Sequence, residues 1–279
     1  MTMIRMLLAV ALGALACAPA AHAAASASQP LAIGETFTID SKGLGETRRI
    51  NVYFPPGYAG TELRVPVLYM PDGGIAEDFL HVAGLVQVGA GNATMRPFLL
   101  VGIENTERRR DMTGPTNNAE DLKIAPRVGG SAAFRKFIRD ELMPEVKKRY
   151  RTTDETAIVG ESLAGYFVVE TFFLEPDLFD TYIAIDPSLW WNDHKLVDGA
   201  AASLYARPRN AKALFLASSS EFRGDVDATS TLADILRADA GPGLRWHYEK
   251  MPEEKHATIY QPAALKAFRL MLAPAPASK

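Results

Sequence analysis

Short apolar segments of strand length alternate with segments of helical spacing along most of this chain. The apolar segments are residues 65–70, 98–103, 156–159, 182–185 and 213–217. Apolar runs without polar alternation are typical of strands that are buried on both faces of a parallel sheet. Because helices usually connect parallel strands, the pattern predicts an α/β fold with a mostly parallel central sheet.

The two ends of this pattern differ from its middle. Residues 36–39 and 49–54 alternate apolar and polar side chains, which predicts two antiparallel strands ahead of the parallel ones. Helices are predicted over residues 134–150, 165–174, 229–238 and 262–272, with an alternating strand over 244–250. Pro144 is expected to kink or divide the first helix. We expect one domain over residues 33–272 and a disordered tail over residues 273–279.

Residues 1–23 differ in composition from the rest. Arg5 precedes an apolar stretch over residues 7–18, and Ala21-His22-Ala23 offers a small-x-small cleavage site. This is the pattern of a cleaved secretory signal peptide, and it is too short to span a membrane. It predicts a periplasmic or secreted protein, with residues 24–32 as a flexible tether.

The only cysteine, Cys17, lies inside this leader. It could accept a lipid, but Ala14 stands where lipoproteins usually carry leucine, so simple cleavage is the preferred interpretation. Cleavage would leave no thiol, which excludes disulfides and cysteine nucleophiles. The net charge of -3 gives no indication of a nucleic-acid partner.

The segment Gly160-Glu161-Ser162-Leu163-Ala164-Gly165 lies between a predicted strand and a predicted helix. That context is typical of a nucleophile elbow, a tight turn in which small residues surround an exposed serine. The common pattern is G-x-S-x-G, and Ala164 replaces its last glycine. Ser162 is the candidate nucleophile, although a structural turn would share the G-x-S residues.

A catalytic serine needs a base and an acid, which follow it in chain order in such folds. His256 lies in the loop between the last predicted strand and the last helix, so we predict it as the base. The other histidines, in the leader, before the serine or in less suitable segments, are His22, His81, His194 and His247. The candidate acids come after the predicted strands 182–185 and 213–217. Glu221 is preferred, and Asp186, Asp225 and Asp227 remain open.

The tetrahedral intermediate needs two backbone N–H donors. Leu163 follows the serine and is one predicted donor. Gly74, in the turn Asp72-Gly73-Gly74 after the first buried strand, is the other. Neither the histidines nor the carboxylates form a metal-ligand pattern, so no metal or cofactor is predicted.

Several motifs together resemble the putative-esterase (esterase D-like) family of α/β-hydrolases, and within it the enterochelin (siderophore) esterase-like branch. They are GESLAG, VLYMPDGG, VGIENTERRRDMT, DELMPEVKKRYRT and DPSLWW. The resemblance implies an α/β-hydrolase fold with helices on both sheet faces. It also implies an esterase with Ser162 as nucleophile, His256 as base and an acid at a position that fits Glu221, although a Ser–His dyad stays open.

The substrate is predicted as a small-molecule ester, either siderophore-like or aromatic and bulky. Trp191 is expected to line its pocket, and Arg108 and Arg110 to recognise an anionic group. Two alternatives use the same scaffold, namely an acyltransferase and a non-catalytic exported binding protein. The oligomeric state does not follow from the sequence.

Overall fold

The structure is a computed structural model that describes residues 27–206 and 212–274. The predicted signal peptide, Cys17 and the last residues of the predicted tail lie outside this range. Residues 27–32 have no regular secondary structure, and the described residues from Ile33 onward form one compact unit. Within the described part of the chain, no helix is both long and apolar enough to cross a membrane.

The core of the unit is one sheet of eight strands in the order β1-β2-β4-β3-β5-β6-β7-β8. The strands are β1 (Gly34–Ser41), β2 (Glu46–Tyr53), β3 (Val65–Pro71), β4 (Leu99–Ile103), β5 (Thr152–Glu161), β6 (Thr181–Ile185), β7 (Lys212–Ser218) and β8 (Leu244–Lys250). β1 pairs with β2 and β2 with β4 in antiparallel register. The other pairs are parallel, which confirms the predicted α/β fold class.

Helices cover both faces of this sheet. They are α1 (Phe79–Gly91), α2 (Arg108–Met112), α3 (Ala119–Ile124), α4 (Ser131–Phe137), α5 (Met143–Arg149), α6 (Ser162–Leu174), α7 (Lys195–Asp198), α8 (Ala200–Tyr205), α9 (Ala228–Asp239) and α10 (Tyr260–Met271). Alternate residues of each strand point to opposite faces. Tyr69 and Ile158 therefore pack in the core under α4, α6 and α9, whereas Leu68 and Val159 pack under α1 and α10.

The predicted helix over residues 134–150 is divided, as expected. One π-helical turn (Ile138–Leu142) separates α4 from α5, and Pro144 lies in the first turn of α5. Pro144 has no N–H to donate to the carbonyl four residues back, and its ring clashes with that carbonyl, so the helix widens just before the proline.

The sequence interpretation missed α1, because its three glycines weaken helix propensity and its apolar residues form no clear stripe.

Candidate active site

Ser162 lies at a sharp turn where β5 passes directly into α6. Its φ is +58°, a left-handed value that non-glycine residues rarely adopt. The turn requires small neighbours, because a Cβ on Gly160 would lie 2.6 Å from the Ala164 carbonyl carbon. A Cβ on Gly165 would lie 3.1 Å from Pro187 Cα. The replacement of the last motif glycine by Ala164 therefore leaves the elbow intact, since Gly165 provides the close packing against the loop after β6.

His256 lies in the loop between β8 and α10 and reaches the serine. Its Nε2 atom is 3.0 Å from Ser162 Oγ, and its Nδ1 atom is 2.6 Å from Asp186 Oδ2. The two ring nitrogens thus have different partners, a hydroxyl on one side and a carboxylate on the other. This is the geometry that lets an imidazole accept a proton from serine while a carboxylate fixes its tautomer.

Asp186 directly follows β6 and is held in place by the loop that follows the neighbouring strand, β7. It is buried and has a positive φ of 42°. Ser219, which follows β7, donates its backbone N–H to Oδ1 and its hydroxyl to Oδ2, each at 2.8 Å. Two such donors orient the carboxylate toward the imidazole, so Asp186 is the carboxylate that is placed to fix the tautomer of His256.

The prediction that Glu221 contacts the His256 ring is wrong. Glu221 Oε2 accepts instead from the backbone N–H of His256 at 3.0 Å, and the carboxylate therefore holds the loop in place. The reason is that Asp186 already occupies Nδ1. Asp227 accepts from Ser230 N–H at the start of α9, and Asp225 is exposed in the same loop. Neither of these two aspartates contacts the imidazole.

The two predicted oxyanion donors have different surroundings. Leu163 is in the first turn of α6, where backbone N–H groups have no acceptor within the helix. The Gly74 N–H, by contrast, donates to Glu77 Oε2 at 2.7 Å and is not free to bind an oxyanion. Glu77 can reach back because residues 74–77 form a tight turn, in which its own N–H donates to the Gly74 carbonyl. The Gly74 assignment is therefore not supported, and Leu163 stays a prediction.

A cavity of ≈ 430 Å³ opens beside Ser162 and His256. Its outer wall carries the partly buried Trp190 and the exposed Phe222. The Arg223 guanidinium lies over the Trp190 ring, 4.2 Å from the ring centroid. Asp186, Glu221 and Asp227 also line the cavity, but each carboxylate accepts a hydrogen bond within the protein. The aromatic surface and the Arg223 guanidinium are therefore the groups that suit a flat or anionic ligand.

The prediction that Trp191 lines this cavity is wrong. Trp191 is 1% exposed and belongs to the core cluster, whereas Trp190 faces the cavity. The two adjacent rings lie 5.8 Å apart and take opposite roles. The sequence does not distinguish the two neighbouring tryptophans, and only packing in the loop after β6 decides which ring faces the cavity.

The arginines predicted to recognise an anionic group are already paired. Arg108 makes two hydrogen bonds of 2.7 Å to Asp72. Arg110 bonds to Glu46 and to Asp111. Each guanidinium is thus neutralised by carboxylates of the fold, so the prediction that Arg108 and Arg110 bind substrate is not supported. Arg223 is the cation that faces the cavity.

The electrostatics of the site are governed by carboxylates close to the imidazole. The hydrogen bond that the His256 Nδ1–H donates to the Asp186 carboxylate raises the pKa of His256, and the nearby charge of Glu161 raises this pKa further. Burial raises the pKa of Glu161 itself to about 8. In residues 27–206 and 212–274, no three His, Cys, Asp or Glu side chains are grouped so that they could hold a metal ion.

Four residues with clear positions at the site were missed from the sequence. Ser219 holds Asp186, Ser188 Oγ lies 3.4 Å from Ser162 Oγ, and Glu161 and Trp190 border the imidazole and the cavity. None of these four gave a usable signal, because their roles depend on contacts between residues that are distant along the chain. Asp186, by contrast, was among the candidate acids because it directly follows a buried strand.

Comparison with known proteins identifies the family. The family model described as "Putative esterase" matches residues 41–232, a range that includes Ser162 and Asp186 and ends before His256. The chain belongs to this esterase family. The solved structure of an IroE-like serine hydrolase from Shewanella oneidensis superimposes with a TM-score of 0.76 and 27% identity, over 86% of this chain and 80% of that one. The match confirms the α/β-hydrolase fold.

Two curated proteins that are similar to this chain are siderophore esterases. Ferri-bacillibactin esterase BesA of Bacillus subtilis is 33% identical over 50% of this chain and 51% of its own length. Siderophore triacetylfusarinine C esterase of Aspergillus fumigatus is 28% identical over 62% of each chain. The chain thus spans about half to three-fifths of the relatives' lengths. The predicted resemblance to the siderophore esterase-like branch is confirmed.

Proposed function

We propose that this protein is a serine hydrolase of carboxylic esters. The observation that carries the proposal is the continuous hydrogen-bonded chain Asp186–His256–Ser162, with distances of 2.6 and 3.0 Å. Membership of the esterase family supports the same reaction. A binding protein would not need a serine held at a strained φ with a base on its hydroxyl.

In the proposed reaction, Ser162 Oγ forms a bond to the ester carbonyl carbon while its proton passes to His256 Nε2. Asp186 stabilises the imidazolium that results, and the Leu163 N–H donates to the oxyanion. When the intermediate collapses, the carbon–oxygen bond to the alcohol breaks and Nε2 returns the proton to the leaving oxygen. Water then repeats the two steps on the acyl-enzyme and releases the acid.

A siderophore-type ester with aromatic groups is the proposed substrate class. The names of the relatives from Bacillus subtilis and Aspergillus fumigatus point to siderophore esters. The cavity supports this class, because Trp190, Phe222 and Arg223 present aromatic rings and a cation beside Ser162. An aromatic acyl group that carries negative charge would satisfy both features.

Export to the periplasm or the medium is part of the proposal. Its support is the leader-like pattern of residues 1–23, with a basic start, an apolar stretch and a small-x-small site. Exported protein would then begin at Ala24, which the intact mass of protein recovered from the periplasm would reveal.

The test of the proposed function combines activity and covalent labelling. The purified protein is expected to hydrolyse p-nitrophenyl esters and a ferric catecholate triester, and a fluorophosphonate probe should modify Ser162. Peptide mass spectrometry locates the adduct. Absence of both hydrolysis and labelling would point to the non-catalytic alternative, whereas faster product formation with added alcohol acceptors would point to acyl transfer.

Trp190→Ala is expected to weaken the binding of aromatic esters. Loss of one ring contact of ~1–1.5 kcal/mol corresponds to a roughly tenfold higher KM for an ester with an aromatic acyl group, such as p-nitrophenyl benzoate. Hydrolysis of p-nitrophenyl acetate should change little, because its acyl group is too short to reach the ring. The measurement is steady-state kinetics on both substrates. Equal losses on both esters with a lower melting temperature would show that Trp190 only holds the loop together.

A further inference from the structure

Glu161 lies on the side of the imidazole opposite to Asp186, and the proposed reaction does not yet use it. It is the last residue of β5, directly before Ser162, and its side chain is 14% exposed. Its Oε1 atom is 3.3 Å from His256 Nε2, the nitrogen that also contacts Ser162 Oγ. Among the described residues, that oxygen has no hydrogen-bond partner of normal geometry. A buried carboxyl oxygen without a partner is costly to the fold, so its position needs an explanation.

The charged groups around Glu161 come from several elements. Arg108 of α2 favours its ionised form, but this guanidinium is already bound to Asp72. Asp78, just before α1, and Asp186, after β6, both disfavour a further negative charge. Burial and these two carboxylates all disfavour the ionised form of Glu161. Because the Arg108 guanidinium is bound to Asp72, His256 is the group that can best stabilise this form.

The remaining neighbours complete this environment. Glu161 and His256 border a second cavity of ≈ 530 Å³, which His81 and Tyr260 also line. The Tyr260 hydroxyl stays neutral, because burial raises its pKa well above the ordinary value. The charge of Glu221 also raises the pKa of His256, by less than the charges of Glu161 and Asp186 do. The second cavity gives water access to the carboxyl group, so Glu161 can exchange its proton with solvent.

We propose that Glu161 is a positioning residue for the general base, whose carboxylate stabilises His256 in the imidazolium form that it takes after it has accepted the Ser162 proton. The proposal rests on the proposed function for its reaction step. No bond is made or broken at Glu161 in that step. Its contribution is a negative charge 3.3 Å from the nitrogen on which the positive charge develops.

The same contact makes hydrolysis depend on pH in a defined direction. The Glu161 carboxyl group and the His256 ring are 3.3 Å apart, so their ionisations are coupled and each apparent pKa belongs to the pair. A proton on Nε2 blocks the base, and kcat/KM should therefore rise with pH as the pair loses that proton. Because the carboxylate of Glu161 raises the pKa of His256, its removal should move the rising limb to lower pH.

The decisive variant is Glu161→Gln, which keeps the shape of the side chain and removes its charge. The rising limb of kcat/KM against pH should shift down by about one unit. At pH 9, where the carboxylate of the wild-type enzyme is ionised, kcat/KM should fall about tenfold. Near pH 6 the two enzymes should differ little. The ratio of variant to wild-type activity thus falls as pH rises, whereas a purely structural defect lowers activity equally at every pH.

Glu161→Asp and Glu253→Gln are the companion variants. Glu161→Asp keeps a carboxylate, so the rising limb of its kcat/KM profile should lie closer to that of the wild type than the limb of Glu161→Gln does. Glu253 is exposed in the loop that carries His256, so Glu253→Gln controls for a change of net charge in that region. A Glu161→Gln profile that superimposes on the wild-type profile after scaling would overturn the proposal.

A second measurement does not depend on catalysis. NMR titration of the His256 ring in substrate-free protein, assigned by its loss in His256→Gln, should show a lower midpoint in Glu161→Gln than in the wild type. An unchanged midpoint would also overturn the proposal. If the wild-type protein hydrolyses no ester but the His256 midpoint still shifts, the proposed function fails while the coupling of Glu161 to His256 stands.

Discussion

Ser162→Ala is expected to abolish ester hydrolysis, with a loss of kcat of up to ~10⁶-fold. In the proposed reaction the Ser162 Oγ attacks the ester carbonyl. The neighbouring Ser188 Oγ, 3.4 Å away, has no histidine on its hydroxyl that could act as a base. His256→Ala should cost a comparable factor, because members of a triad act as a unit. Initial rates on a p-nitrophenyl ester, measured to the background of spontaneous hydrolysis, check both variants.

The structure supplies a control for this experiment. Ser220 is an exposed serine in the loop after β7, where its hydroxyl donates to the Glu254 carbonyl. Ser220→Ala should keep its activity and should still react with a fluorophosphonate. Circular dichroism should show that all three variants are folded, because neither Ser162 nor His256 fills the core. Residual turnover above about a hundredth of the wild-type value in Ser162→Ala would contradict its assignment as the nucleophile.

Asp186→Asn is expected to lower kcat by about 10⁴-fold, the second largest effect. An amide at this position can donate to Nδ1 and so favours the wrong imidazole tautomer. It also removes the negative charge that stabilises the imidazolium. Glu221→Gln, the matched variant, should cost less than about tenfold, because its carboxylate contacts only the backbone N–H of His256. Steady-state kinetics on one ester separates the two.

The pair of variants decides between two acids and a dyad. A larger loss in Glu221→Gln than in Asp186→Asn would mean that His256 changes its partner during the reaction. Small losses in both would mean that Ser162 and His256 act without an acid. Either result would contradict the role that the 2.6 Å contact between Nδ1 and Asp186 supports.

The sequence by itself determined the sheet, the tight turn at Ser162 and the position of His256 beside it. These features depend on local patterns: apolar runs form buried strands, and small residues around Ser162 permit the tight turn from β5 into α6. The placement of His256 follows from chain order, since a residue in the loop after the last parallel strand must reach the same sheet edge as Ser162. The predicted strands therefore agree closely with those observed.

Only the tertiary structure decided which of several similar side chains takes each role. Asp186 and Glu221 both follow parallel strands, and the two donors on Ser219 select Asp186 for the imidazole. Trp190 and Trp191 are adjacent, and packing buries one and leaves the other at the cavity. Arg108 forms an ion pair with Asp72, so its charge does not face the cavity beside Ser162. The choices of Asp186 and of the partner of Arg108 depend on hydrogen bonds of 2.6 to 2.8 Å between residues far apart in the chain, and the fate of the two tryptophans depends on packing. Residue type and spacing along the sequence do not distinguish between the candidates for such contacts.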